Sequence, residues 1–186
     1  ALLTAAPVVA AETTDLAAKA ATGDVAAQLA LGQAHASGRG AAKDLKAAVD
    51  WLTKAADQGS VDACMALGKL YLGGSGMPKS GIDAAKWFRL AAERGNPAAQ
   101  CQLARMHLAG AGVPKDDVEA CKWAKVAFAQ GDKQAKGILD FLYQRMSAEQ
   151  VAKADELAKA VTGSKPAPDA APGVPLVAPP LEKETP

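Results

Sequence analysis

From Gly23 to Tyr143 apolar and polar residues alternate with a helical rhythm, and the rhythm itself returns every 36 residues. Each unit can be counted from its leading glycine: Gly23, Gly59, Gly95, and Gly131 opening a partial fourth. Alanine falls at position 5 (Ala27, Ala63, Ala99, Ala135) and leucine at position 9 (Leu31, Leu67, Leu103, Leu139). With positions 12, 13 and 16 they line one face of a 3.6-residue helix, so the spacing predicts a helix A beginning near position 3. Position 10 is small (Gly32, Gly68, Ala104), which admits a partner helix at close backbone approach. Position 13 carries a ring (His35, Tyr71, His107, Tyr143), read as packing on the next helix. A second stripe, Ala48/Ala84/Ala120 and Trp51/Trp87/Trp123, predicts a helix B whose indoles stack along one spine.

The breaks between helices are equally periodic. Gly38-Arg39-Gly40, Gly74-Ser75-Gly76 and Gly110-Ala111-Gly112 end helix A, because glycine supplies the positive φ of a sharp reversal. Asp44, Ser80 and Asp116 then stand as N-caps of helix B, with Asp83 and Glu119 placed for capping boxes in units two and three. A fixed period of this length is the signature of a solenoid, in which each unit buries its apolar face only against its neighbours. The predicted fold is an all-α, α/α solenoid of about three helix-turn-helix repeats over 23–145, with capping helices over 12–22 and 146–162. Ser147-Ala148-Glu149-Gln150 offers a capping box for the second of these.

The motif resembles the Sel-1-like repeat, a relative of the tetratricopeptide repeat. The matching stretches are Ala27-Gln28-Leu29-Ala30-Leu31-Gly32, Ala99-Gln100-Cys101-Gln102-Leu103-Ala104, Gly110 to Asp116, Lys122-Trp123, and the closing runs Lys54 to Gly59 and Ala91 to Gly95. Departures are Cys64 for a glutamine, Ser80 for an aspartate and Phe128 for an alanine. The resemblance implies that helix A lines a concave side that receives a protein partner.

The two ends differ from the solenoid. Residues 1–11 are uncharged and mostly apolar, and Val9-Ala10-Ala11 before Glu12 fits small-residue cleavage. They are read as the remnant of a bacterial secretory signal, placing the protein in the periplasm or outside the cell. The run is shorter than the roughly 20 residues a membrane-spanning helix needs, so no integral span is expected. Residues 163–186 hold seven of the eleven prolines and are read as a disordered tail.

Charge and chemistry narrow function by exclusion. Twenty-one basic residues against 20 acidic leave a net charge of +1, which argues for neither nucleic acid nor an anionic membrane. His35 and His107 are two units apart, too far to share a metal. Cys64, Cys101 and Cys121 show no CxxC and read as buried small hydrophobes. The Gly-x-Gly turns follow helices and lack the lysine and hydroxyl of a phosphate loop. No nucleophile–base set assembles, so no catalytic residue, cofactor or metal is assigned and no enzyme is expected.

What remains is the face of helix A turned away from the core. Positions 4, 7, 8, 11 and 15 are assigned to it. The candidate partner-binding residues are Gln33, Asp62, Met65, Lys69, Gln102, Arg105 and Phe141. The reading is a monomeric, non-enzymatic adaptor that binds a protein or peptide there. The alternative is an envelope enzyme or ligand-binding protein acting on a peptidoglycan-type substrate.

Overall fold

We describe the protein from a computed structural model, in which residues 14–74 and 78–163 are described. The expectations for residues 1–11, for Gly76, and for the chain beyond Gly163 lie outside them. Among the described residues there are nine helices and no strand. They are α1 (residues 14–21), α2 (Val25–Ser37), α3 (Leu45–Asp57), α4 (Val61–Gly73), α5 (Gly81–Glu93), α6 (Pro97–Ala109), α7 (Asp117–Ala129), α8 (Gln134–Tyr143) and α9 (Ala148–Gly163). The hairpins α2/α3, α4/α5 and α6/α7 are the three predicted units, and every helix in them is 13 residues long.

The uniform length follows from uniform ends. Asp24, Ser60 and Asn96 each accept a hydrogen bond from the backbone N–H three residues on, opening α2, α4 and α6. Gly38, Gly74 and Gly110 close the same helices in the left-handed conformation, at φ of 74°, 59° and 71°. Asp44, Ser80 and Asp116 cap α3, α5 and α7 as the sequence predicts. The capping boxes expected in units two and three do not form. The cap N–H is already taken by the carbonyl of the ring position, Asp44 N–H to His35, Ser80 to Tyr71 and Asp116 to His107, at 3.0–3.1 Å. The Asp83 carboxylate turns instead to the Ser80 hydroxyl at 2.6 Å, and Glu119 to Lys122. A reciprocal box exists at Ser147 and Gln150, where α9 begins.

At position 13 the two histidines hold their own turns, while Tyr71 packs against the main core. His35 Nδ1 lies 3.1 Å from the Ala42 carbonyl and His107 Nδ1 lies 3.3 Å from that of Pro114, so the proton sits on Nδ1 in both. Tyr143 breaks the pattern. It ends α8 46% exposed, with Lys125 over its ring, while Leu142 beside it is fully buried.

Core packing also differs from the spine of indoles. Trp51 and Trp87 are half-buried, and the side chains sealed in the hairpins are the next residues, Leu52 and Phe88. The small position 10 of helix A exists for them. A Cβ on Gly32 would stand 2.6 Å from Leu52 Cγ, and one on Gly68 would stand 2.7 Å from the Phe88 ring. In the third unit both members change together, to Ala104 and Ala124. The glycine thus receives a side chain, and at Gly32 the Ala48 carbonyl oxygen also comes within 3.2 Å of where a Cβ would stand.

The stack ends in two ways. At the start, Ala20, Ala27 and Leu31 form a small apolar cluster with Leu16, Ala17 and Trp51, separate from the main core. At the other end α9 packs along α7, running the same way: Gln150 lies beside Asp117 and Val118, and Asp155 pairs with Lys125. Trp123 on the covered helix is only 5% exposed.

Candidate functional site

Helices α2, α4, α6 and α8 present one stripe to solvent. Position 4 (Ala26, Asp62, Ala98, Gln134), position 11 (Gln33, Lys69, Arg105, Phe141) and position 15 (Ser37, Gly73, Ala109, Arg145) are exposed throughout. Position 11 of one helix borders position 4 of the next: Arg105 Nη2 donates to Gln134 Oε1 at 2.6 Å, joining α6 to α8. Neighbouring A helices therefore share a continuous face. Gln33, Asp62, Lys69, Arg105 and Phe141 all stand on it, and Phe141 is 48% exposed beneath the Arg145 guanidinium, 5.4 Å from the ring centroid.

Two candidates sit differently. Gln102 at position 8 is half-buried on the rim of the stripe. Met65 at position 7 is not the exposed side chain expected: it packs partly buried against the core, as Leu29 does, and Cys101 at the same position is buried outright. Position 7 follows the buried position 6 around the helix, which draws it inward. The A helices of the three units bury positions 5, 6, 9 and 10, a face turned by about one residue from the one assigned.

Position 6 carries a feature that sequence reasoning passed over. Gln28 and Gln100 are buried, and each donates from Nε2 to the carbonyl of the preceding B helix, Ala20 and Ala92, at 3.1 Å. Their Oε1 atoms accept from Gln58 and Gln130 at 2.7 and 2.8 Å. Each clasp crosses from one unit to the next with every buried polar atom matched. Glutamines recurring in register, Gln28/Gln100 and Gln58/Gln130, were the available signal. In the middle unit the pair is Cys64 and Arg94, and the guanidinium stands 4.0 Å from the sulfur.

The chemistry of this side of the molecule is quiet. All three cysteines are free and buried. Burial pushes the Cys64 thiol up to about 11, against the opposing pull of Arg94, and raises Cys101 and Cys121 too. Such thiols stay protonated at neutral pH and are poor nucleophiles. Among the described residues no three His, Cys, Asp or Glu gather as a metal site. A shallow cleft of about 350 Å³ between the starts of α7 and α9 is lined by Lys115, Asp116, Asp117, Val118 and Gln150. Among the described residues no helix is long and apolar enough to cross a membrane.

Comparisons with known proteins agree with this geometry. The family model described as Sel1 repeat matches three times, over residues 25–60, 61–96 and 97–132, nearly the bounds of the hairpins. The crystal structure of a Sel1 repeat protein from Oxalobacter formigenes is similar, with 37% identity and a TM-score of 0.62, over 70% of this chain and 98% of that one. So is c5321, a protective antigen present in uropathogenic Escherichia coli strains displaying an SLR fold, with 25% identity and a TM-score of 0.54. That alignment covers 81% of this chain and 40% of the antigen. No curated protein matches the chain. Three matched units, uniform hairpins and solved relatives of the same build place this chain in the Sel1 repeat family.

Proposed function

We propose that this chain is a non-catalytic scaffold that binds one partner protein along the exposed A-helix face, on the concave side of the stack, and that it does so outside the cytoplasm. Sel1 repeat proteins generally mediate protein–protein interaction. The observation that carries the reading for this chain is the unbroken stripe from Gln33 through Lys69 and Arg105 to Phe141, tied between helices at Gln134. Capped helices of equal length hold Gln33, Lys69 and Arg105 in place before a partner arrives, so little order is lost on docking. The apolar, small-residue pattern of residues 1–11 supports export.

The test is site-specific photo-crosslinking in the native cell envelope. A benzophenone amino acid at Gln33 or Gln102 should capture a discrete partner band, whereas the same probe at Lys86 or Arg89 on α5 should not. Capture from α5 alone, or none from α2 and α6, overturns the reading. Separation of periplasm from cytoplasm before the crosslink tests the location; a wholly cytoplasmic signal overturns that part.

A further inference from the structure

The stripe is not uniform along the stack, and its charges select a class of partner. Among the described residues Lys69 and Arg105 form no ion pair, although other cations nearby do: Lys136 with Asp140 and Arg145 with Asp117, both at 2.7 Å. Arg105 is held instead by the neutral Gln134, which fixes the guanidinium. Asp62 lies on the same stripe about two turns before Lys69, toward the start of the same helix α4. At the far end Phe141 offers a half-open ring. Along the stack position 11 therefore reads neutral, cationic, cationic, aromatic, from Gln33 to Phe141.

The distances between these groups are set by the fold. Lys69 and Arg105 occupy the same position of identically capped 13-residue helices, one helix spacing apart, which is about 8–10 Å. Phe141 occupies the same position of α8, one helix further on, again about 8–10 Å. An extended peptide advances about 3.3 Å per residue, so each step spans roughly three residues.

We propose that the partner presents an extended acidic segment, with carboxylates at two positions about three residues apart that meet Lys69 and Arg105 and an apolar side chain about three residues further that covers Phe141. Gln33 and Phe141, the neutral and aromatic ends of the row, set the direction. This rests on the A-face reading above and makes it specific. A basic or wholly apolar partner is a different outcome.

The test uses the full chain and a defined probe: a capped synthetic peptide with two glutamates at that spacing, a leucine at the third step and serines between. Binding is followed by amide chemical shifts at low salt. The glutamate peptide should perturb Lys69, Arg105 and Phe141, and its affinity should fall as salt rises. The glutamine version should bind about tenfold more weakly, as should the glutamate peptide to Lys69→Glu/Arg105→Glu. Lys46→Glu/Arg89→Glu on α3 and α5 should bind as the parent does, with circular dichroism confirming that both variants fold. Equal binding of the two peptides, indifference to charge reversal, or no shifts at millimolar peptide would overturn the proposal. Crosslinks at Gln33 and Gln102 would survive any of those results, so the two readings can fail separately.

Discussion

At the scale of single residues the fold depends on small holes filled by large neighbours. Gly68 leaves room for the Phe88 ring, and a methyl group there would stand 2.7 Å from it. Gly68→Ala should therefore cost about 1–3 kcal/mol in urea unfolding. In a Phe88→Ala background the same change should be neutral or stabilising, because alanine outranks glycine in a helix by about 1 kcal/mol. Equal costs in both backgrounds would mean that the ring and the glycine are not coupled. The hole was readable from Gly32, Gly68 and Ala104, but its occupant was not. Tryptophan, being large and periodic, drew attention from Leu52 and Phe88, whose identities vary because each fits its own unit.

The buried thiols give a second residue-scale expectation. Cys64 is raised from 9.0 to about 11 because burial disfavours the thiolate. Between those values the unfolded chain has released its proton and the folded one has kept it. Stability then falls as pH rises through that window, and is intact below about 9. The loss attributable to Cys64 is on the order of 2–3 kcal/mol at most. Unfolding of parent and Cys64→Ala at neutral and strongly alkaline pH should show the parent losing more. Native Cys64 should also resist thiol reagents until the chain unfolds.

At the scale of elements, two glycines with alike backbones should behave differently. Gly112 and Gly131 both have positive φ, at 74° and 92°. A Cβ on Gly112 would lie 1.9 Å from the carbonyl carbon of Gly81, where the turn of the third unit rests on the start of α5. One on Gly131 would meet nothing within 4 Å. Gly131→Ala should cost about 1–2 kcal/mol of backbone strain alone, and Gly112→Ala should cost more, about 3 kcal/mol or beyond, by thermal melting. Helix ends, turns and caps were legible because they depend on local chemistry. The capping boxes failed for a nonlocal reason, since the cap N–H was claimed by a carbonyl nine residues earlier. The exposed Tyr143 and the seating of α9 on α7 were likewise out of reach, because an end has no neighbouring unit to set its register.

At the scale of the whole molecule, stability is unevenly shared. The N-terminal cluster is apart from the main core, and a solenoid couples its units only through nearest neighbours. Amides of α1 and α2 should exchange with deuterium faster than those of α6 and α7, where α9 adds cover. Uniform protection along the chain would contradict this. The architecture and the exposed position-11 ladder could be read from the repeat alone. Met65 was misplaced there because a face assigned one residue out exchanges rim for core. The glutamine clasps were passed over because a buried amide looks, in a sequence, like any surface polar residue.

Each hairpin carries both halves of its own lock: Gly32 with Leu52, Gly68 with Phe88, Ala104 with Ala124. The clasps between hairpins use a common fitting, save at Cys64 and Arg94. Such a module is a cassette. Excising Gly59 to Arg94 would splice Gln58 to Gly95 and bring Gln100 under the Ala56 carbonyl, rebuilding the very bond the middle hairpin lacks. Duplication and loss of whole hairpins would then leave the joints intact, so a lineage could lengthen or shorten this rod without redesigning it.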